Sequence, residues 1–268
     1  MDLLKSITQG ELASLLWLKQ AHIVSNYKGF AHSRIMYLPS FLAWRAPYPE
    51  TSGYIIENFL VFNKGIVDDG MQIALDSAYW LLDIQSDKNY YYSGLKKLKP
   101  SSFNTAQIIF GLKEAFNFTS DVRFKNAYIN AKDWILSGID DSGKWTNGLY
   151  KENYFASYYS RAIWPLLLVS DSQDKIILEK SLNHLWQKSN EYYSFTDLGF
   201  ELNKSILTHT IAYALEGFLE SSIILRNNSM TNRCLEILKF VAHLIQQEKA
   251  LHGIYNDQWK HLSNMKCV

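Results

Sequence analysis

The chain has 268 residues, of which 47% are hydrophobic and 20% charged, and its formal net charge is +1. This composition is typical of a globular protein, and so small a net charge without a Lys/Arg tract argues against a nucleic-acid partner. No apolar run approaches the roughly 20 residues of a membrane span, and the amino terminus lacks a secretory signal pattern, so a cytoplasmic protein is expected.

Two kinds of apolar segment alternate along the chain. Five of them have apolar residues at helical spacing with charges between, which predicts half-exposed outer helices: Glu11–Ile23, Met71–Ile84, Arg123–Leu136, Lys175–Lys188 and Asn232–Glu248. Four others are apolar on most sides, which predicts buried inner helices: Ile55–Phe62, Ile108–Phe116, Ala162–Val169 and Ile211–Leu225. Glycine beside an aromatic residue, as at Tyr27–Phe30, predicts a tight turn whose aromatic side chain folds over the next inner helix.

This alternation predicts an all-α fold, an α/α toroid of helical hairpins, as one domain covering residues 1–268. The phase of the repeat places the start of a fifth inner helix near Cys267, so the ring is expected to lack its last hairpin or hairpins. Three explanations stay open. The ring closes with fewer elements, a partner or a second copy completes it, or the chain is a shortened product of a longer gene.

A polar cluster precedes each inner helix, and the clusters recur at roughly fifty-residue spacing. They are Tyr48–Tyr54, Phe103–Gln107, Tyr158–Arg161 and Leu207–Tyr213. Polar groups at the start of an apolar helix are costly unless they face water or a ligand, so the clusters predict the mouth of a cavity. Trp145 and Tyr150 are predicted to form an aromatic wall for sugar rings, although packing between helices is the alternative explanation for such aromatic residues.

Three residues are the candidate proton carriers. Glu50 and Tyr54 stand four apart and share one helix face, with Tyr48 as a hydrogen-bonding partner, but Glu50 also suits a purely structural first-turn position. His209 and Tyr213 repeat that spacing, and a structural histidine is the alternative to a proton shuttle.

The remaining candidates would hold the substrate. A buried Arg161, three residues after Tyr158, needs a carboxylate, which Glu50 or a uronic acid could supply, and a structural salt bridge is the alternative. Asn104 and Gln107 would add neutral hydrogen-bonding groups. Neither Cys234, Cys267 nor another histidine is spaced to join His209 at a metal, and phosphate-loop and dinucleotide motifs are absent, so no metal or other cofactor is expected.

Four motifs in order resemble a bacterial α/α-toroid family that is often encoded in surface-polysaccharide gene clusters. Tyr48–Ile56 resembles its Tyr-Pro-Glu-Thr-Thr-Gly-Tyr-Ile-Ile segment, and Leu207–Tyr213 matches its Leu-Thr-His-Thr-Ile-Ala-Tyr. Phe103–Gln107 resembles Phe-Asp-Thr-Gly-Gln, with Asn104 in place of the acid, and Tyr158–Trp164 resembles Tyr-Asn-Thr-Arg-Val-Ala-Trp. The fold of this family is similar to that of uronyl 5-epimerases, unsaturated-uronide hydrolases and sugar 2-epimerases.

The resemblance implies a carbohydrate-active protein of surface-polysaccharide biosynthesis with an acidic saccharide or polysaccharide as its partner. The expected reaction is proton transfer beside a substrate carboxylate, giving epimerisation or a lyase-like elimination, with Arg161 holding that carboxylate. Two alternatives stay open, a non-catalytic glycan-binding or assembly module and a glycoside hydrolase. The hydrolase would need a second acid, for which Asp141 is the candidate.

Overall fold

The computed structural model describes residues 3–63, 65–94, 98–201 and 206–267. Its helices are α1 Leu3–Ile23, α2 Ser40–Ala43, α3 Pro49–Val61, α4 Gly70–Ile84, α5 Ser102–Thr119, α6 Val122–Leu136, α7 Ser160–Leu168, α8 Ser172–Trp186, α9 Thr208–Ile224 and α10 Asn228–Glu248. A 3-10 turn, Ser157–Tyr159, leads into α7. Strand β1 Ile206–Leu207 pairs antiparallel with β3 Ile254–Tyr255, and β2 Leu251–His252 pairs with β4 Lys266–Cys267. The predicted all-α class is confirmed.

Each predicted inner helix begins earlier than its apolar run, so the polar clusters lie inside the first helical turns. Pro49 begins α3 at a position where its missing N–H costs nothing. The Ser101 hydroxyl caps α5 by accepting the backbone N–H of Asn104 at 3.1 Å. These start signals place the polar clusters within the helices. The helix geometry then sets the directions in which the candidate side chains project.

The chain forms two compact units, Met1–Trp134 and Ile135–Val268. In the first unit, α3 packs against α4 and α5, and α1 packs against α4. In the second unit, α7 packs against α8 and α9, and α10 packs against α9. Inner helix therefore lies against inner helix within each unit, as the alternating pattern predicts. The single domain and the one central cavity stay predictions.

Glycine lets the inner helices approach closely in both units. A Cβ on Gly53 of α3 would lie 2.6 Å from the Gln107 carbonyl oxygen and from the Ile108 Cα of α5. A Cβ on Gly217 of α9 would lie 2.1 Å from the Arg161 backbone nitrogen of α7. Carbon atoms pack at about 3.5–4.0 Å, so each contact has no room for a side chain. These glycines set the spacing of the helices that carry the candidate residues.

A recurring turn follows the outer helices of the second unit. The side-chain oxygens of Asp140, Asn190 and Asn256 each accept backbone N–H groups from the residues two and four positions later, at 2.8–3.0 Å. The residue three positions after each of them has a positive φ, which Gly143 supplies in the first turn at φ +85°. The pattern of glycine beside an aromatic residue therefore identifies only the form of this turn that has glycine at the positive-φ position. Tyr193 and Trp259 occupy that position in the other two turns.

The aromatic residues of the turns fold back as predicted. Phe30 stacks on Phe59 of α3 with ring centroids 5.7 Å apart, and Phe195 stacks on Phe218 of α9 at 4.9 Å. Both loop residues are almost fully buried. Each turn is thereby anchored to the inner helix that follows it in the chain.

The structure also bears on two features considered from the sequence, the state of Cys234 and the presence of a membrane span. Cys234 is a free, buried thiol on α10, and burial raises its pKa to about 12, so it stays protonated and unreactive. None of the helices in the described ranges combines the length and apolarity needed to cross a membrane.

The first pH prediction concerns His22 at the end of α1. Its ring is fully buried, with Nδ1 3.0 Å from the Gly29 carbonyl oxygen and 3.1 Å from the Ser77 hydroxyl. Burial lowers the pKa of His22. Below the unfolded pKa of about 6.5 the unfolded chain binds the proton more readily, so the free energy of unfolding should fall as pH decreases through that value.

Urea unfolding between pH 7.5 and 5.5 measures this slope. Burial also lowers the pKa values of His184 and His209, which contribute in the same direction. His22→Gln should therefore flatten the slope in part. An unchanged slope in His22→Gln would contradict the assignment.

Candidate functional site

The first unit brings together three of the predicted residues, which we call the Tyr48 cluster: Tyr48, Glu50 and Asn104. Tyr48 caps the start of α3, and Asn104 projects from the first turn of α5. The Asn104 amide donates to the Tyr48 hydroxyl at 3.2 Å, and the Glu50 carboxylate accepts a hydrogen bond from the same phenol. The three polar groups thus form a short chain of hydrogen bonds at the ends of two neighbouring inner helices.

Electrostatics keep the Tyr48 phenol protonated. Burial, and secondly the negative charge of Glu50, raise the pKa of Tyr48 to about 12. At neutral pH the phenol is therefore a hydrogen-bond donor to Glu50 rather than a base. The amide of Asn104 suits this direction of bonding because it donates to the phenol oxygen, whereas a carboxylate there would compete with Glu50 for the phenol proton.

The first turns of α3 and α5 divide into structural and accessible positions. Ser52 is fully buried, and its hydroxyl donates to the Tyr48 carbonyl oxygen at 2.8 Å while accepting the Phe30 N–H at 3.0 Å. Glu50 and Tyr54 are half-buried on the other side of α3. Gln107 is fully buried at this position on α5, and its role in substrate binding stays a prediction.

The second unit brings together four residues, which we call the His209 cluster: Arg161, His209, Tyr213 and Glu216. Arg161 comes from the first turn of α7, and the other three line one face of α9. The His209 ring meets the edge of Tyr213 with centroids 5.9 Å apart. The Arg161 guanidinium lies 5.7 Å from the centre of the Tyr213 ring and 5.0 Å from that of Trp164.

The carboxylate partner of Arg161 is Glu216, which forms an ion pair with its Nη1. The ion pair found is thus with Glu216, and the binding of a substrate carboxylate by Arg161 stays a prediction. Glu216 was missed because it lies inside an apolar run. Its signal is a spacing: His209, Tyr213 and Glu216 repeat the offsets of Glu50, Tyr54 and Glu57 on α3.

Aromatic side chains surround the His209 cluster. Phe200 lies 5.4 Å from His209 and 5.6 Å from Tyr158, and Tyr150 lies 5.4 Å from Phe200, all between ring centroids. Tyr150 is exposed and Phe200 is half-exposed, while Tyr158 is buried. The buried Tyr158 ring packs against Phe200, and its contact with a substrate stays a prediction.

Trp145 lies in the core of the second unit. Its side chain is only 1% exposed, its Nε1 donates to the Ser181 hydroxyl at 3.2 Å, and its ring stacks on Phe155 with centroids 5.3 Å apart. This placement favours the packing alternative for Trp145, and its part in an aromatic wall stays a prediction. Tyr150 is left as the accessible member of the predicted aromatic wall.

The chemistry of the His209 cluster follows from its exposure and charge. His209 is exposed at one edge of α9, yet partial desolvation lowers its pKa, so the ring is neutral at pH 7. A neutral imidazole accepts a proton, and a phenol on the next turn can donate a hydrogen bond. Across the described residues, no group of three or more histidine, cysteine and acidic side chains is placed to hold a metal ion.

Several solved structures resemble this chain at low sequence identity. No protein-family model and no curated protein matches it. Cellobiose 2-epimerase from Spirochaeta thermophila matches with a TM-score of 0.68 at 10% identity, over 92% of this chain and 72% of its own. An α-amylase from Clostridium perfringens matches with a TM-score of 0.62 at 13% identity, over 91% and 77%.

An α-mannanase from Bacteroides thetaiotaomicron matches with a TM-score of 0.57 at 13% identity, over 82% of this chain and 63% of its own. At such identities the likeness establishes the fold alone. The neighbours are sugar enzymes built as α/α toroids, and the predicted α/α-toroid fold of this chain is thereby confirmed.

Proposed function

We propose that the chain is a carbohydrate-active enzyme that moves a proton at one carbon of a sugar ring, as an epimerase or a lyase-like enzyme. The observation that carries this proposal is the neutral, exposed His209 beside Tyr213, with the Arg161–Glu216 pair one turn further along α9. A base, a phenol and a guanidinium on adjoining turns supply proton transfer and charge stabilisation. The structural neighbours, an epimerase, an α-amylase and an α-mannanase, support a saccharide as the substrate class.

The aromatic neighbours support the same substrate class. Tyr150 and Phe200 offer ring faces at the edge of the His209 cluster, and the C–H faces of sugar rings pack on aromatic planes. A pyranose seated there would present its hydroxyl groups and one C–H bond to the histidine. Proton abstraction at that carbon then needs a group that stabilises the resulting negative charge.

A uronic acid is the substrate that best uses Arg161. Abstraction of a proton beside a carboxylate gives an enolate-like intermediate, which a guanidinium stabilises through charge-assisted hydrogen bonds. The Glu216 side chain is 47% exposed, so it can turn towards water and leave Arg161 to the substrate carboxylate. We also propose a role in surface-polysaccharide biosynthesis, because the four motifs resemble those of a family that is often encoded in such gene clusters. A cytoplasmic location is part of the same proposal.

The test is mass spectrometry of oligosaccharides incubated with the protein in deuterated water. We expect one deuterium to enter one carbon of the uronic-acid residues and none to enter matched neutral oligosaccharides. Arg161→Lys keeps the positive charge but loses the bidentate fork, so it should slow exchange on the acidic substrate. An epimerase labels the sugar, whereas a lyase-like enzyme releases an unsaturated sugar. Sugars that are neither labelled nor unsaturated in every incubation would overturn the proposal.

A binding module is the second candidate, favoured by Asn104, which replaces an acid with a neutral amide in the Tyr48 cluster. Such a module would retain acidic oligosaccharides on the immobilised protein without labelling them. Binding without exchange would therefore select this function, and release of a reducing end would select the glycoside hydrolase instead.

A further inference from the structure

The chain segregates its charges around one segment of the first unit. Between Glu11 and Glu50 the sequence has no acidic residue, although the whole chain has 26 of them and a net charge of only +1. The same stretch carries four cationic residues, Lys19, Lys28, Arg34 and Arg45. Lys19 pairs with Asp69, whereas Lys28 and Arg45 are exposed. This segment therefore carries a local positive charge that the net charge of the whole chain does not reveal.

Within this stretch, residues 31–47 form a two-stranded arm. The His32 N–H donates to the Ala46 carbonyl oxygen at 3.0 Å, the Arg45 N–H to that of Ser33 at 2.9 Å, and the Ile35 N–H to that of Ala43 at 2.8 Å. The tip of the arm, residues 36–42, includes most of the short helix α2. Backbone hydrogen bonds thus hold the arm in a defined shape.

The tip of the arm presents apolar side chains to solvent. Tyr37 is 86% exposed and Phe41 is 84% exposed, and Met36 and Leu42 beside them are exposed as well. An isolated exposed apolar residue needs no explanation, but four on one tip form a patch of the kind that marks an interaction surface.

A mixed aromatic and cationic layer lies at the base of the arm. The Trp17 and Trp44 rings lie 4.9 Å apart between centroids, and the Arg34 guanidinium sits 5.7 Å and 5.8 Å from them. Tryptophan and arginine are the residues that settle at the headgroup level of a membrane, where a ring can lie in apolar surroundings while a charge meets phosphate. Along the arm, the apolar side chains of the tip are therefore followed by a layer of aromatic and cationic side chains.

We propose that this arm binds the surface of an anionic phospholipid bilayer, with the tip in the acyl boundary and Arg34 and Arg45 at the lipid phosphates. Charge complementarity favours this occupant, since the stretch has basic residues and no acid. A symmetric contact with a second copy would bring the same cations against each other, which disfavours self-association. The inference goes beyond the proposed sugar chemistry and does not depend on it.

Cosedimentation with vesicles tests the proposal. The full chain should bind vesicles of equal phosphatidylglycerol and phosphatidylcholine about tenfold or more tightly than vesicles of phosphatidylcholine alone, and added salt should weaken the binding. Tyr37→Ser combined with Phe41→Ser should abolish binding. Lys28→Gln combined with Arg45→Gln should weaken it about tenfold or more, because two cations near the surface are lost.

The matched control removes exposed apolar side chains elsewhere in the chain. Phe118→Ser combined with Val122→Ser changes two such residues at the junction of α5 and α6 and should bind like the wild type. Absence of vesicle binding, equal binding to both kinds of vesicle, or retention by the tip variant would overturn the proposal. A dimer in solution that the tip substitutions dissociate would assign the arm to a second copy and would overturn it too.

Discussion

Gly217→Ala should destabilise the second unit by about 3 kcal/mol or more, at or beyond the upper end of the usual cost of overpacking. The added methyl group would lie 2.1 Å from the Arg161 backbone nitrogen and 2.2 Å from the Ser160 carbonyl carbon. Both atoms belong to backbone of α7, which cannot rotate away as a side chain could. Helix α7 must shift bodily, and the Arg161–Glu216 pair must shift with it. The free energy of unfolding from urea denaturation, followed by circular dichroism, measures the loss.

Gly10→Ala is the matched control for this substitution. Gly10 lies in the exposed part of α1, and a Cβ there would have no heavy atom within 4 Å. Alanine is the better helix former, so this control should be neutral or should stabilise the protein by up to about 1 kcal/mol. Equal stability of Gly217→Ala and the wild type would show that α7 and α9 are not in the close contact described above.

His209→Gln should lower the rate of solvent deuterium exchange into the sugar by about 100-fold or more, since general base catalysis contributes typically 10²–10⁴-fold. Glutamine keeps a polar side chain of similar size but cannot take up the proton. His209 is exposed, so the free energy of unfolding should change by less than about 0.5 kcal/mol. A wild-type rate in this variant would remove the base from the proposed mechanism.

The pH profile separates a proton carrier from a histidine that only positions substrate. Because the pKa of His209 lies below its ordinary value of about 6.5, the base should be predominantly neutral at pH 7 to 8 and the rate should change little across that range. The rate should fall as pH decreases below that range, through protonation of the ring. His243→Gln, at an exposed position on α10, is the control and should keep both the rate and its profile.

The positions of the helices were predictable because each depends on residues close together in the sequence. Apolar spacing identified outer helices such as α8 and α10, and the continuous apolar runs identified the inner helices. The helix starts were predictable in part. Glu50 lies in the first turn of α3 after Pro49, as its sequence position indicated, whereas the Ser101 cap of α5 lies before the cluster that the sequence singled out.

Partners from distant parts of the chain were not predictable. Arg161 pairs with Glu216 and Asn104 bonds to Tyr48, and each pair joins two helices whose packing a single sequence does not specify. Trp145 illustrates a different ambiguity, between a surface position and a core position. A tryptophan near a glycine fits both an open sugar-binding surface and a buried core position, and only the hydrogen bond to Ser181 and the stacking on Phe155 decide between them.

The motif Tyr48–Tyr54 combines two sets of requirements in seven residues. Pro49, Ser52 and Gly53 serve the start, the anchoring and the close packing of α3, whereas Glu50 and Tyr54 keep accessible surface. Substitutions in the first set should lower the free energy of unfolding. A motif of this kind therefore cannot be treated as a list of catalytic residues.

The turn closed by Asp140, Asn190 or Asn256 also marks equivalent positions in different hairpins. In each case a capping side chain is followed five residues later by a ring, Trp145, Phe195 or His261, and Ser86 with Tyr91 repeats the offset in the first unit. Such a two-point signature is what tandem duplication of one ancestral helical hairpin would leave after the rest of each copy had diverged. Alignment of the hairpins on these two positions gives a common numbering for the copies, in which gain and loss of individual side chains can be traced from one hairpin to the next.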